Sequence, residues 1–301
     1  MKYIFQDTPM IPTCHSEFGK LKSIIIKPVN AAFVNEQHLQ QNWRALNFLA
    51  KPDLDIARDE YTAFENIIRA TGATVFTLPQ DDSVTMDSIY CRDATIATDF
   101  GMIVLNMGKA ARIPEPAAQQ KTLATFGLQV LGTITPPGTL EGGDVAWLDE
   151  RTLAVGHTYR TNPEGIRQLK HLLEPNGIEV VVAHMPHYKG PSDVFHLMSV
   201  LSPVDKNLAV VYSPLMPIAF RDELIHRGFS FVEVPESEWD SMGCNVLAIA
   251  PREVVMVKGN PKTKEGLIKA GCVVHEYDGQ EISVKGGGGP TCLTRPIERW
   301  M

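Results

Sequence analysis

Charge is sparse in this chain. Only 21% of its 301 residues are Asp, Glu, Lys or Arg, and 35 acids outnumber 28 bases for a net charge of −7. A nucleic-acid partner is not expected, because phosphate binding needs a basic excess. Long apolar runs are missing as well. No stretch approaches the ~18 residues of a membrane helix. The opening residues Met1, Lys2, Tyr3, Ile4, Phe5, Gln6 and Asp7 lack the apolar core of a signal peptide. Cysteine is scarce: Cys14, Cys91, Cys244, Cys272 and Cys292 make an odd number without CxxC spacing. That disfavours a disulfide framework and a zinc knuckle. The expectation is a cytoplasmic protein of a reducing compartment, with no membrane partner and room for a homo-oligomer. With 44% hydrophobic residues, global disorder is excluded. Residues 1–301 suffice for one domain with its own core.

What the chain does have is a hidden repeat. Residues 93–107, 144–157, 198–212 and 245–258 share one outline, apolar strand, short polar turn, apolar strand, at intervals of about fifty residues. Each is followed by a helical pattern and another strand. Pro114 opens one helix that Gly127 closes; Asn162 and Pro163 cap another that Gly177 closes. The strands that follow are expected at 130–135, 178–183, 230–234 and 272–277. Each unit therefore reads ββαβ. A fifth unit is split across the termini, from strand material at 281–285 and 293–296, a strand at 21–28, a helix at 59–70 and a strand at 75–78. Five such units joined through both termini describe a closed α/β ring; four hairpins in an ordinary α/β sheet are the plainer alternative.

The strongest local oddity is Gly286-Gly287-Gly288-Gly289, followed by Pro290, Thr291 and Cys292. Four glycines pack nothing and cost conformational entropy, so they suit backbone that must pass close to something. A thiol at the exit of such a run is a candidate nucleophile, although a bare cysteine is commonly a small buried hydrophobe. The other four cysteines read as structural. A thiol nucleophile needs a proton-handling partner. Of nine histidines, His196 stands at the head of the third hairpin, and His157 is second choice. His184 and His187 could form an i, i+3 metal pair, but no further ligand is spaced to complete a site, so no metal is expected. Carboxylates recur at equivalent strand ends, Asp93 before the first hairpin and Glu141-Gly142-Gly143-Asp144 before the second. Acids facing a thiol suit a planar cation such as a guanidinium, whose fork of N–H donors two carboxylates can grip. Arg112 and Arg160 recur after second strands and suggest a clamp for a substrate carboxylate, against the plainer reading of surface charge.

The order Asp93, Glu141 to Asp144, His196-Leu197-Met198-Ser199 and Pro290-Thr291-Cys292 resembles the guanidino-modifying enzymes of the pentein fold. These include arginine deiminase, dimethylargininase and arginine:glycine amidinotransferase. The resemblance runs from about Cys14 to Cys292 and implies a pentein, a five-fold ββαβ α/β-propeller. It implies Cys292 as nucleophile, His196 as general acid and base, and Asp93 and Glu141 as the guanidinium-binding acids. It makes Asp87 a further substrate contact, Arg112 and Arg160 the carboxylate clamp, residues 30–33 with Phe33 a lid loop, and Asp144 a supporting residue near substrate. No cofactor is implied, and the partner is a small guanidino molecule. Met198 stands where arginine deiminases carry an acid, which tilts the resemblance towards dimethylargininase. Arg92 stands where mammalian dimethylargininases place an acid. The implied activity is hydrolysis of a guanidinium C–N bond through a covalent cysteine adduct. An amidinotransferase and a non-catalytic pentein are the alternatives.

Overall fold

The computed structural model describes residues 11–301, so the opening heptapeptide lies outside the described residues. The strands form five small mixed sheets. Four repeat one plan. Thr95–Ile96 pairs antiparallel with Met102–Val104, which pairs parallel with Val130–Thr133. Val145–Asp149, Thr152–His157 and Glu179–His184 do the same. So do Leu201–Asp205, Leu208–Val211 and Ser230–Glu233, and Leu247–Ala250, Glu253–Val257 and Val273–Tyr277. A parallel third strand needs a crossover, and in each sheet a helix supplies it. In the fifth sheet Thr294–Trp300 pairs antiparallel with Lys20–Ile26, which runs parallel to Thr74–Thr77. First strands adjoin in three successive sheets, where Leu201–Asp205 touches Val145–Asp149 and Leu247–Ala250; Leu247–Ala250 also touches Lys20–Ile26, the middle strand of the fifth sheet.

Local chemistry explains the elements. Asn162 accepts a hydrogen bond from Gly165 N–H and caps the helix Pro163–Leu173, which buries Ile166, Leu169 and Leu173. Gly177, at φ +78°, ends the turn that follows. The hairpin strands are buried along nearly their whole length. They therefore read as continuous apolar runs rather than alternating patterns.

Three expectations need correction. Residues 281–285 are not strand. Gln280–Val284 forms a wide helical turn, because the Glu60 carboxylate collects the N–H groups of Gln280, Glu281 and Ile282. The hairpin heads are not strand ends either. Asp93 and Asp144 sit in 3₁₀ turns, Cys91–Ala94 and Gly142–Asp144, and His196 caps the short helix Leu197–Val200. Residues 30–33 are not a loop: Val29–Ala32 is a helical turn, and Phe33 is fully buried against Phe48 and does not line the catalytic cavity.

Candidate active site

Two 3₁₀ turns, Met86–Ile89 and Cys91–Ala94, flank Tyr90. Three residues per turn bring Asp87, Tyr90 and Asp93 to one face, where all three line a cavity of about 440 Å³. Met86 and Ile89 anchor the other side in the core. Cys292, His196, Lys109 and Arg160 line the same cavity.

Asp93 is held from two sides. Gly143 N–H donates to its Oδ1 at 2.8 Å, and Arg112 Nη1 to its Oδ2 at 2.5 Å. Gly143 is glycine for a steric reason: a Cβ there would lie 2.5 Å from His196 Nδ1. Arg112 also donates to both oxygens of Glu115, at 2.9 and 2.8 Å, and to Tyr90 O. Arg112 therefore props Asp93, and the free carboxylate clamp expected of it is corrected. Its donors already have partners.

Glu141 is fully buried and does not line the cavity. Its Oε2 meets His196 Nε2 at 2.8 Å. Its Oε1 accepts from Gly108 N–H, Lys109 N–H and Arg160 Nη1. It orients the histidine instead of gripping a guanidinium, which corrects the sequence expectation. With Nε2 engaged, Nδ1 is the ring atom left for chemistry. Asp144 is fully buried too and does not line the cavity. It accepts from Thr158 Oγ1, Thr161 Oγ1 and Leu197 N–H, fixing the backbone beside His196. It is a positioning residue without access to substrate, again a correction. Burial pushes its carboxyl up to about 6.

The electrostatics of His196 follow from this arrangement. Burial disfavours the imidazolium, but Asp144, Asp93 and Glu141 outweigh it and lift the pKa to about 9. Burial also opposes the Glu141 charge, yet His196, Arg160 and Arg112 win and hold it well below the usual carboxylate range. Burial, then Asp93, pushes the Cys292 thiol up, while hydrogen bonds from Thr291 and Asn245 pull the other way. Asn245 Nδ2 donates to Cys292 Sγ at 3.4 Å.

The glycine run has two clear reasons. A Cβ on Gly288 would lie 2.5 Å from the Tyr90 ring, and Gly287 sits at φ +74°. Together they let the chain fold over Tyr90 and deliver Cys292 to the cavity. Arg92 does not reach that cavity. It is fully buried and pairs with Glu17 at 2.7 Å, so the unusual residue before Asp93 leaves the substrate space unchanged.

Sequence reasoning missed two wall residues. Lys109 Nζ pairs with Asp87 at 2.6 Å and donates to Leu46 O. Asn245 heads the fourth hairpin, equivalent to Asp93 in the first, so the repeat itself carried a signal for it. Side-chain atoms of Asp93, Glu141 and His196 lie within 4.8 Å of one another, close enough to share a cation. The guanidinium groups of Arg112 and Arg160 beside these acids disfavour a dication there. His184 meets His157 at 3.3 Å and His187 meets Tyr159 at 2.6 Å, so the two do not converge.

Residues 28–299 match the family model described as N,N dimethylarginine dimethylhydrolase, eukaryotic. The N(G),N(G)-dimethylarginine dimethylaminohydrolase of Pseudomonas aeruginosa is 28% identical over 246 residues, 82% of this chain and 90% of that one. A solved structure of the Pseudomonas aeruginosa enzyme, a mutant complexed with citrulline, superposes with a TM-score of 0.75 at 25% identity, covering 92% of this chain and all of that one. SxtG, an amidinotransferase from Microseira wollei, shares the fold at a TM-score of 0.78 and 16% identity over 95% and 96% of the two chains. With a thiol and a carboxylate-held histidine facing one cavity, and a family model matching nearly its whole length, this chain belongs to the dimethylarginine dimethylaminohydrolase family of guanidino-modifying α/β proteins.

Proposed function

We propose that the protein hydrolyses a guanidinium C–N bond of arginine or, preferentially, of an Nω-substituted arginine. We also infer that its five sheets close, through the pairing of Thr294–Trp300 with Lys20–Ile26, into one ring-shaped catalytic unit. The observation that carries the activity is the cavity in which Cys292 and His196 face the carboxylates of Asp87 and Asp93. Asp93 receives the guanidinium and keeps it cationic, hence electrophilic. The Cys292 thiolate attacks the central carbon. His196, an acid at neutral pH, gives its proton to the departing amine or ammonia, and a covalent amidino-thioether remains. The neutral imidazole then takes a proton from water, whose oxygen attacks the same carbon. The C–S bond breaks and a ureido product leaves. Met198 supplies an apolar wall where an acid would favour an unsubstituted nitrogen. Arg160, which lines the cavity and holds Glu141 and Asp193 O only at 3.4 and 3.3 Å, turns to meet the substrate carboxylate.

A panel of arginine, methylated arginines and agmatine tests this. Methylated arginine should give citrulline and an alkylamine, arginine should react more slowly, and agmatine, without the carboxylate, should be poor. Ornithine formed only with an added amine would make the protein an amidinotransferase. No turnover and no adduct with any member would make it non-catalytic.

The thiol gives a second expectation. Cys292 is neutral in the free enzyme, because burial and Asp93 raise its pKa. A bound guanidinium cation acts in the opposite sense. The thiolate absorbance of wild type minus Cys292→Ser, titrated with pH, should shift to lower pH when a guanidinium ligand is present. Superimposable titrations with and without ligand would show that substrate does not assist ionisation.

A further inference from the structure

Asp87, an acid of the catalytic cavity, already holds an ammonium group of this chain. Lys109 Nζ donates to its Oδ2 at 2.6 Å and to Leu46 O at 2.9 Å. The pair is largely enclosed, with the aspartate side chain 4% and the lysine side chain 13% exposed. It is also fixed from several sides. Lys109 N–H donates to Glu141 Oε1 at 2.9 Å, so its backbone is tied to the residue that orients His196. Leu46 is buried in the core, which fixes its carbonyl. Gly108 packs so tightly on the next strand that a Cβ there would lie 2.5 Å from Arg160 O. The backbones of Lys109 and Arg160 are therefore neighbours on the cavity wall. A buried carboxylate and a fixed carbonyl are the acceptors that an ammonium on the substrate would need, and Lys109 occupies both. A second ammonium at Asp87 would meet a like charge at close range, or would expel Lys109 and break an enclosed ion pair. Asp193 and Asp240, also on the wall, are partly and fully exposed, where an ion pair gains little.

We propose that Lys109 is a specificity-determining residue that selects substrates without an ammonium group at the tail, so that ω-guanidino carboxylates are preferred over guanidino α-amino acids. The inference rests on the hydrolase reading and narrows only the tail of its substrate. The guanidinium still goes to Asp93, and the tail carboxylate still goes to Arg160. The α-carbon carries only hydrogen where arginine carries an ammonium, so the Lys109–Asp87 pair stays intact when substrate enters.

Two matched pairs read this out: arginine against δ-guanidinovalerate, which is arginine without its α-amino group, and Nω-methylarginine against its own des-amino counterpart. Wild type should use each des-amino member with a kcat/KM at least about tenfold higher, mainly through KM. Lys109→Met keeps the stem and frees Asp87, so the preference should reverse. Calorimetry on Cys292→Ala, with and without Lys109→Met, should give the same two orders of affinity without any turnover. If Lys109→Met fails to fold, Asp87→Asn replaces it. An Asp87 that serves only Lys109 can be neutralised without penalising the α-amino member of a pair more than the des-amino one. Wild type that uses or binds the α-amino members as well or better, a preference unmoved by Lys109→Met, or a selective loss of the α-amino members in Asp87→Asn would overturn the proposal, because Asp87 would then receive the substrate itself. If no member is turned over, the hydrolase reading falls while the order of binding still decides this one. Binding of no member would overturn both.

Discussion

Cys292→Ala is expected to lower turnover by at least about 10⁴-fold, because a covalent route cannot proceed without its nucleophile. The mutation removes one sulfur from a partly exposed position at a cavity wall, so folding should survive, and far-UV circular dichroism would show it. Cys272→Ala is the control. Cys272 is buried beside the strand Val273–Tyr277 and does not line the catalytic cavity, so its loss should leave kcat close to wild type. Steady-state rates and intact-protein mass after exposure to an amidine electrophile are the measurements. Wild type and Cys272→Ala should each gain one adduct and Cys292→Ala none. An adduct or normal turnover in Cys292→Ala would move the nucleophile elsewhere.

The repeated small mixed sheets were legible because the repeat is written in apolar runs about fifty residues apart, and buried strands tolerate little else. Cys292 was legible because a glycine run is costly and needs a reason; Tyr90 beneath Gly288 supplies it. The division of labour among the acids was not legible. Spacing places Asp93 and Asp144 at equivalent chain positions, with Glu141 three residues before Asp144, but it does not say which carboxylate opens onto the cavity and which is enclosed by donors. That depends on partners distant in sequence: Glu141 meets His196 and Arg160, and Asp144 meets Thr158 and Thr161. Arg112 misled for the opposite reason. Its partner Glu115 is only three residues away, within one turn, but a buried bidentate pair and a surface one look alike in sequence. Phe33 misled because an aromatic in a loop-like segment can equally be a core plug, and the helical turn Val29–Ala32 turns it inward.

Glu141→Gln should be the most damaging change that leaves the thiol in place. Glu141 stabilises the imidazolium from Nε2 and fixes the ring so that Nδ1 is free. A neutral amide keeps the shape but loses the charge, and its NH₂ end must face either His196 or the backbone N–H groups of Gly108 and Lys109. Loss of correct tautomer and charge in a general acid typically lowers kcat by about 10²–10⁴-fold. The pH signature separates this from a packing defect. In wild type the acid form of His196 persists up to about 9, so the alkaline limb of kcat should fall there, and in Glu141→Gln that limb should move to lower pH. Stability follows the same sign. The folded pKa of His196 is raised above its ordinary 6.5, so its stabilisation is complete below 6.5 and is lost as pH rises through about 9. Glu141 is depressed from 4.5, so its share is present above 4.5 and is lost as pH falls through its lowered folded value. The stability difference between wild type and Glu141→Gln should therefore be largest between pH 4.5 and 6.5 and shrink towards pH 9. Breaking a buried charge pair by removing one partner costs about 3–5 kcal/mol, and the retained amide should keep the loss at the lower end. Denaturant unfolding at pH 6 and pH 9, beside the kcat–pH profile, measures both effects. An alkaline limb that stays near pH 9 in Glu141→Gln would show that Glu141 does not set the charge of His196.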